Sequence, residues 1–253
     1  MMSIFLLAAA ATGAAPAAPG PPDGLVPLKD RSGGGGQVRC TPPGGDNNGQ
    51  WCVAMAKDPG SPLIILHQGK EVGRWTPSGD EENFEVVPGI FPLADGRALA
   101  IVTSSRNLMY SGGGGTVTTQ HVILTRPGNG ISAAEVLAAP GDSGVMIRAC
   151  FSEQDMKQRA GACHDEYSMS AKLAFLPADS GMPAIRLETE ATSFPRGVSR
   201  DKDSLALPRL RKKDLVHQID RACSYKRVFR FDAAQKQYVP DAALPDCSQY
   251  LDG

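Results

Sequence analysis

The segment RACFSEQDMKQRAGACHDEY, residues 148–167, concentrates reactive side chains: Cys150 and Cys163 frame a polar stretch, and His164, Asp165 and Glu166 follow directly. Thiolate, imidazole and carboxylate are all zinc ligands, and each also serves acid/base chemistry. The spacing argues against a metal, because twelve residues separate the cysteines and neither C-x-x-C nor a paired-histidine motif accompanies them. In a strand, His164 and Glu166 share one face and Asp165 takes the other, so the three do not converge without a bulge. The expectation is a disulfide at a strand entrance, with no metal and no cofactor.

A second cluster is PGDSGVMIRAC, residues 140–150. Gly141, Asp142, Ser143 and Gly144 resemble the nucleophile loop of chymotrypsin-like serine proteases, whose backbone amides form an oxyanion hole. The resemblance covers this loop alone and implies a base at His67 or His121 and an orienting Asp80 or Asp95. Val145 stands where that family carries a second glycine, and His121 lies only 22 residues before Ser143. A turn of small residues accounts for the same motif. A serine hydrolase using Ser143 is thus the enzymatic alternative, and no catalytic residue is assigned.

Tyr110, Ser111, Gly112 and Gly113 open a glycine tract that suits an adaptable recognition loop. Its composition resembles the loop that small exported lysozyme inhibitors push into an enzyme cleft, which makes an inhibitor-like module the second alternative. RLRKKD at residues 209–214 and YKRVFRF at residues 225–231 interleave basic and aromatic side chains, as single-strand nucleic-acid grooves do. There the alternation of Tyr225, Phe229 and Phe231 with Lys226 and Arg230 instead fits a half-buried strand, and no nucleic-acid partner is expected.

These residues must be carried by strands. Tyr167, Met169, Ala171, Leu173 and Phe175 alternate with Ser168, Ser170 and Lys172, a period of two. Ile185 and Leu187 repeat the pattern against Arg186, Glu188 and Glu190. Asp95 and Gly96 between apolar arms predict a hairpin, as do residues 232–236 near the end. Ser152, Asp155 and Gly161 have the spacing of a short capped helix. About nine or ten strands and at most two helices predict an all-β, antiparallel sandwich or irregular barrel, with two lobes at residues 37–130 and 131–253 as the domain reading.

The chain of 253 residues opens with a short apolar run and small residues, read as a signal peptide over residues 1–17, then a Pro/Gly linker over residues 18–36. With 26 basic and 27 acidic residues it has no long-range pull toward nucleic acid or anionic membrane. Export makes the six cysteines a disulfide set, and sequence order suggests Cys40 with Cys52, Cys150 with Cys163, and Cys223 with Cys247. Fifteen connectivities remain open on sequence alone. RVFRFDAAQKQYVPDAALPDCSQYL, together with the 148–167 segment, resembles exported bacterial all-β proteins without an assigned role. The resemblance implies compartment and fold style. The function expected is non-enzymatic binding or envelope support, in periplasm or outside the cell, with a protein or glycan ligand and no transmembrane segment.

Overall fold

The computed structural model describes residues 23–31, 36–43, 49–56, 60–77, 82–126, 131–176 and 181–252. The signal-peptide reading lies outside these residues. Two antiparallel sheets make up the fold. The smaller is a meander of β2 (Lys29–Asp30), β3 (Gly36–Cys40), β4 (Trp51–Ala56), β5 (Leu63–His67) and β6 (Lys70–Trp75). The larger contains β1 (Val26–Pro27), β7 (Glu82–Pro92), β8 (Ala98–Tyr110), β9 (Gly113–Arg126), β10 (Ser132–Arg148), β11 (His164–Leu176), β12 (Ala184–Phe194), β14 (Lys226–Asp232) and β15 (Gln237–Pro240) in that order. A short β13 (Gln218–Ile219) pairs with β12 beside β14.

The all-β expectation holds, with more strands than the periodicity reveals. β1, β2 and β13 have two residues each, too short to display any period. Two of them fall within the stretch read as linker, where Leu25 and Leu28 are buried and anchor it to the fold. The helix capped by Ser152 is present as α1 (Glu153–Gln158), and α2 (Ser248–Leu251) lies near the end.

Strand β8 explains the layering. Its residues 98–102, ALAIV, are apolar without alternation. Ala98, Ala100 and Val102 pack with Trp51, Val53, Leu63 and Ile65 of the small sheet. Leu99 and Ile101, on the opposite face, pack with Leu173, Phe175, Ile185, Leu187 and Phe229. A strand buried on both faces reads as a continuous apolar run. The β7–β10 part is therefore the middle layer, covered on one side by the small sheet and on the other by β11, β12, β14 and β15.

That second cover belongs to the same sheet, which folds over itself at β10. Below the corner, Ser143 through Ile147 pair with both β9 and β11. Above it, β10 stays with β9, while among the described strands β11 beyond Met169 pairs only with β12. A bulge between Pro140 and Ser143 marks the departure, as bulges do where strands bend. The uncovered lower part of the middle layer receives the C-terminal segment, with Val117, Val145, Tyr167 and Met169 packed against Val198, Cys223, Cys247 and Tyr250.

All three disulfides join sequence neighbours: Cys40 with Cys52, Cys150 with Cys163, and Cys223 with Cys247. Cys40 and Cys52 are register partners across β3 and β4, their Cα atoms 4.0 Å apart. Among the described residues no helix is long and apolar enough to cross a membrane.

Candidate functional site

Oxidation of Cys150 and Cys163 removes both thiols from metal chemistry, and the residues beside them have separate tasks. His164 is exposed and Glu166 half-buried. Asp165 is buried and forms an ion pair with Arg159, which is only 1 % exposed. The guanidinium also donates to the carbonyls of Ala162 at 2.9 Å and Ser204 at 3.3 Å, and the Ser204 hydroxyl donates to Asp165. This buried pair ties the disulfide-framed excursion to the loop around Ser204. Among the described residues, no group of three His, Cys, Asp or Glu side chains is placed to hold a metal ion.

The Gly-Asp-Ser-Gly motif is the corner of the sheet. A β-carbon on Gly141 would sit 2.2 Å from Thr118 Oγ1, so the bulge requires a glycine there. Thr118 Oγ1 donates to the Asp142 carbonyl at 2.8 Å, and the Asp142 carboxylate accepts the Ala171 N–H at 3.0 Å across the split between β10 and β11. Gln120 Nε2 donates to the carbonyls of Pro140 and Ala171, bridging the same split. Ser143 is buried mid-strand, and its hydroxyl finds no partner in the described protein. It registers with Val117, four residues along β9 from His121, a separation of about 13 Å at the usual rise per residue. His67 stacks on Trp51 with ring centroids 4.1 Å apart, and the Asp95 carboxylate is bound to Arg97. Asp80 lies outside the described residues. Among the described residues no base is built onto Ser143.

A different serine does meet a histidine. Ser104 Oγ lies 2.9 Å from His121 Nε2, and His121 Nδ1 lies 2.7 Å from Glu135 Oε2. The three come from β8, β9 and β10, on the face toward the small sheet. Trp75 and Phe84 flank the imidazole at centroid distances of 5.7 and 6.1 Å. The bulge between Glu135 and Leu137 puts Glu135 opposite Ile123 and Ala138 opposite His121. Ser104 also borders a cleft of about 480 Å³ between the middle layer and the C-terminal residues Leu251 and Asp252. Arg106 lines that cleft and donates to the Leu251 carbonyl at 3.3 Å.

A groove of about 590 Å³ lies on the opposite side, where β11 parts from β10. Val86, Val87, Pro88, Ala171 and Leu173 give it an apolar floor. Asp23, Glu85, Asp142 and Glu188 outnumber Lys172 and Arg186 around it. Ala171 gives its N–H to Asp142, and Phe175 gives its N–H to the Asp23 carbonyl at 2.8 Å. These alternate residues of β11 thus direct their backbone groups away from β12. Leu173, between them, follows the same alternation, and among the described strands none pairs with β11 on that side beyond Met169.

The glycine tract is part of the sheet. Tyr110 registers with Gly113, leaving Ser111 and Gly112 as a two-residue hairpin turn, with Gly112 at φ +102°. Gly113, Gly114 and Gly115 pair with Ile147, Met146 and Val145 of β10. A β-carbon on Gly115 would lie 2.3 Å from the Gly144 carbonyl oxygen. Exposed Met109 and Met146 flank Gly114, one on each neighbouring strand. The basic and aromatic residues of β14 face as their alternation predicts, with Phe229 buried and Lys226 and Arg230 exposed.

Comparison of the chain with protein-family models, with curated proteins and with solved structures finds no match.

Proposed function

We propose that the chain is an exported binding protein whose groove takes an extended peptide segment as an added strand on β11. The observation that carries this reading is the β11 edge at Leu173, which turns backbone donor and acceptor toward a concavity with an apolar floor. Strand addition draws affinity from main-chain hydrogen bonds and specificity from pockets for alternate side chains. The excess of carboxylates around the groove favours a segment bearing Lys or Arg. Three disulfides support an oxidising compartment, periplasmic or extracellular, where such a partner would be an envelope or secreted protein.

The test is selection of displayed random peptides on the immobilised full-length protein, followed by amide hydrogen exchange with the enriched peptides. Enrichment of extended basic sequences that slow exchange at the Leu173 amide supports the reading. Enriched peptides that leave Leu173 exchange unchanged refute it, as does protection at this site by soluble glycan fragments but by no peptide.

A further inference from the structure

We propose that Ser104 is an acyl-accepting nucleophile for small anionic carboxylic esters bound in the cleft beneath α2. This activity is independent of the peptide groove, which opens on the other side of the middle layer. The order of contacts carries the argument. A carboxylate on Nδ1 fixes the tautomer whose Nε2 lone pair faces the serine hydroxyl, which is how a histidine becomes a general base toward serine. Glu135 stands on Nδ1 at 2.7 Å and Ser104 on Nε2 at 2.9 Å. A serine whose only task is to be satisfied inside a sheet needs one backbone carbonyl; this one meets an imidazole that an acid already orients.

The position of the array fits the chemistry. Ser104 lies where the covering by the small sheet gives way to that by the C-terminal segment, and although only 2 % exposed it is among the residues that line the cleft. The cleft's volume of about 480 Å³ is within the range that holds a small molecule. Arg106 and Asp252 both line the cleft, and the Arg106 guanidinium is the group that pairs with an ester carrying a carboxylate. In the first step Ser104 Oγ attacks the ester carbonyl carbon as its proton passes to His121 Nε2. The ester C–O bond breaks, and the departing alkoxide takes that proton. Water then attacks the acyl-serine, gives a proton to His121, and releases the carboxylic acid as Ser104 recovers its hydrogen. Water is the only co-reactant, and nothing is oxidised or reduced.

The experiment uses the full disulfide-bonded protein with a small fluorophosphonate, mapped by mass spectrometry, and with 4-nitrophenyl hydrogen succinate against neutral 4-nitrophenyl acetate. Expected is one adduct, on Ser104, absent in Ser104→Ala, retained in Ser143→Ala, and formed at least tenfold more slowly in Glu135→Gln. Arg106→Gln should raise KM for the succinate ester at least fivefold and leave that for the acetate ester unchanged. Folded wild-type protein that shows no adduct on Ser104 overturns the proposal without recourse to any variant. An adduct rate insensitive to Glu135→Gln in a variant with wild-type circular dichroism overturns it equally.

Discussion

Replacing Asp165 by alanine strands a guanidinium. Arg159 is 1 % exposed, and its remaining partners would be the neutral carbonyls of Ala162 and Ser204. Removing one member of a buried pair costs about 3–5 kcal/mol, because the other charge stays desolvated without compensation. For a chain of this size each kcal/mol moves the melting temperature by about 2–4 °C, so Asp165→Ala should lower it by roughly 6–20 °C. Ser204→Ala removes one donor from a carboxylate that keeps its cation, which should cost about 1 kcal/mol beyond ordinary surface effects. Replacing both charges with apolar residues of similar volume, Arg159→Met with Asp165→Leu, should recover most of the loss, since neither charge is then buried. Urea unfolding of the wild type, Arg159→Met, Asp165→Leu and the double gives the coupling directly. An Asp165→Ala variant within 1 kcal/mol of wild type would refute the reasoning, because it would mean that Arg159 reaches water or another anion in the native state.

The corner motif gives a sharper contrast at two neighbouring glycines: Gly141→Ala must displace Thr118 and should cost at least about 2 kcal/mol, whereas Gly144→Ala meets nothing within 4 Å and should stay within about 0.5 kcal/mol in the same unfolding assay. Converting Cys223 and Cys247 to serine opens a loop with a sequence separation of 24 and should cost about 3–4 kcal/mol, read by thermal melting of the oxidised variant. In acid, the Phe151 N–H and then the Ser152 cap hold the Asp155 carboxyl below its ordinary value of 3.8. Its stabilisation of α1 is present above that value and is lost as pH falls through the lower folded one, so Asp155→Asn should flatten the acid limb of the stability profile. At the other extreme, burial raises the phenols of Tyr167, Tyr238 and Tyr250 above their usual 10.0. Stability is complete below 10 and declines as pH rises above it, which alkaline titration of circular dichroism would show.

Much of the fold is legible where a rule acts along a single strand. The alternation of Tyr167, Met169, Ala171, Leu173 and Phe175 predicts five buried residues, and all five are buried. Ser152 caps its helix as spacing predicts, its Oγ accepting the Asp155 N–H at 3.2 Å. The motif at Gly141 was legible as unusual but not as a corner, because its reason is Thr118, a strand away and 23 residues earlier. Its likeness to a protease loop came from the same small residues that a bulge requires. The array at Ser104 was harder still. Glu135 is an isolated polar residue in an apolar stretch, which is a signal, but its meeting with His121 depends on the bulge after Glu135, and no local pattern reports it.

The strand order of the large sheet has a consequence for how the chain matures. From β7 to β12 every strand lies beside the one just before it in sequence, so a chain emerging amino-terminus first can zip hairpin by hairpin without waiting for distant segments. β1 departs furthest from this order, since its Val26 must find Ile90 after 64 more residues have appeared. Until then the small sheet can form alone but has no floor beneath its apolar face, and this interval is when the nascent chain is most exposed to holdases, proteases and its own neighbours.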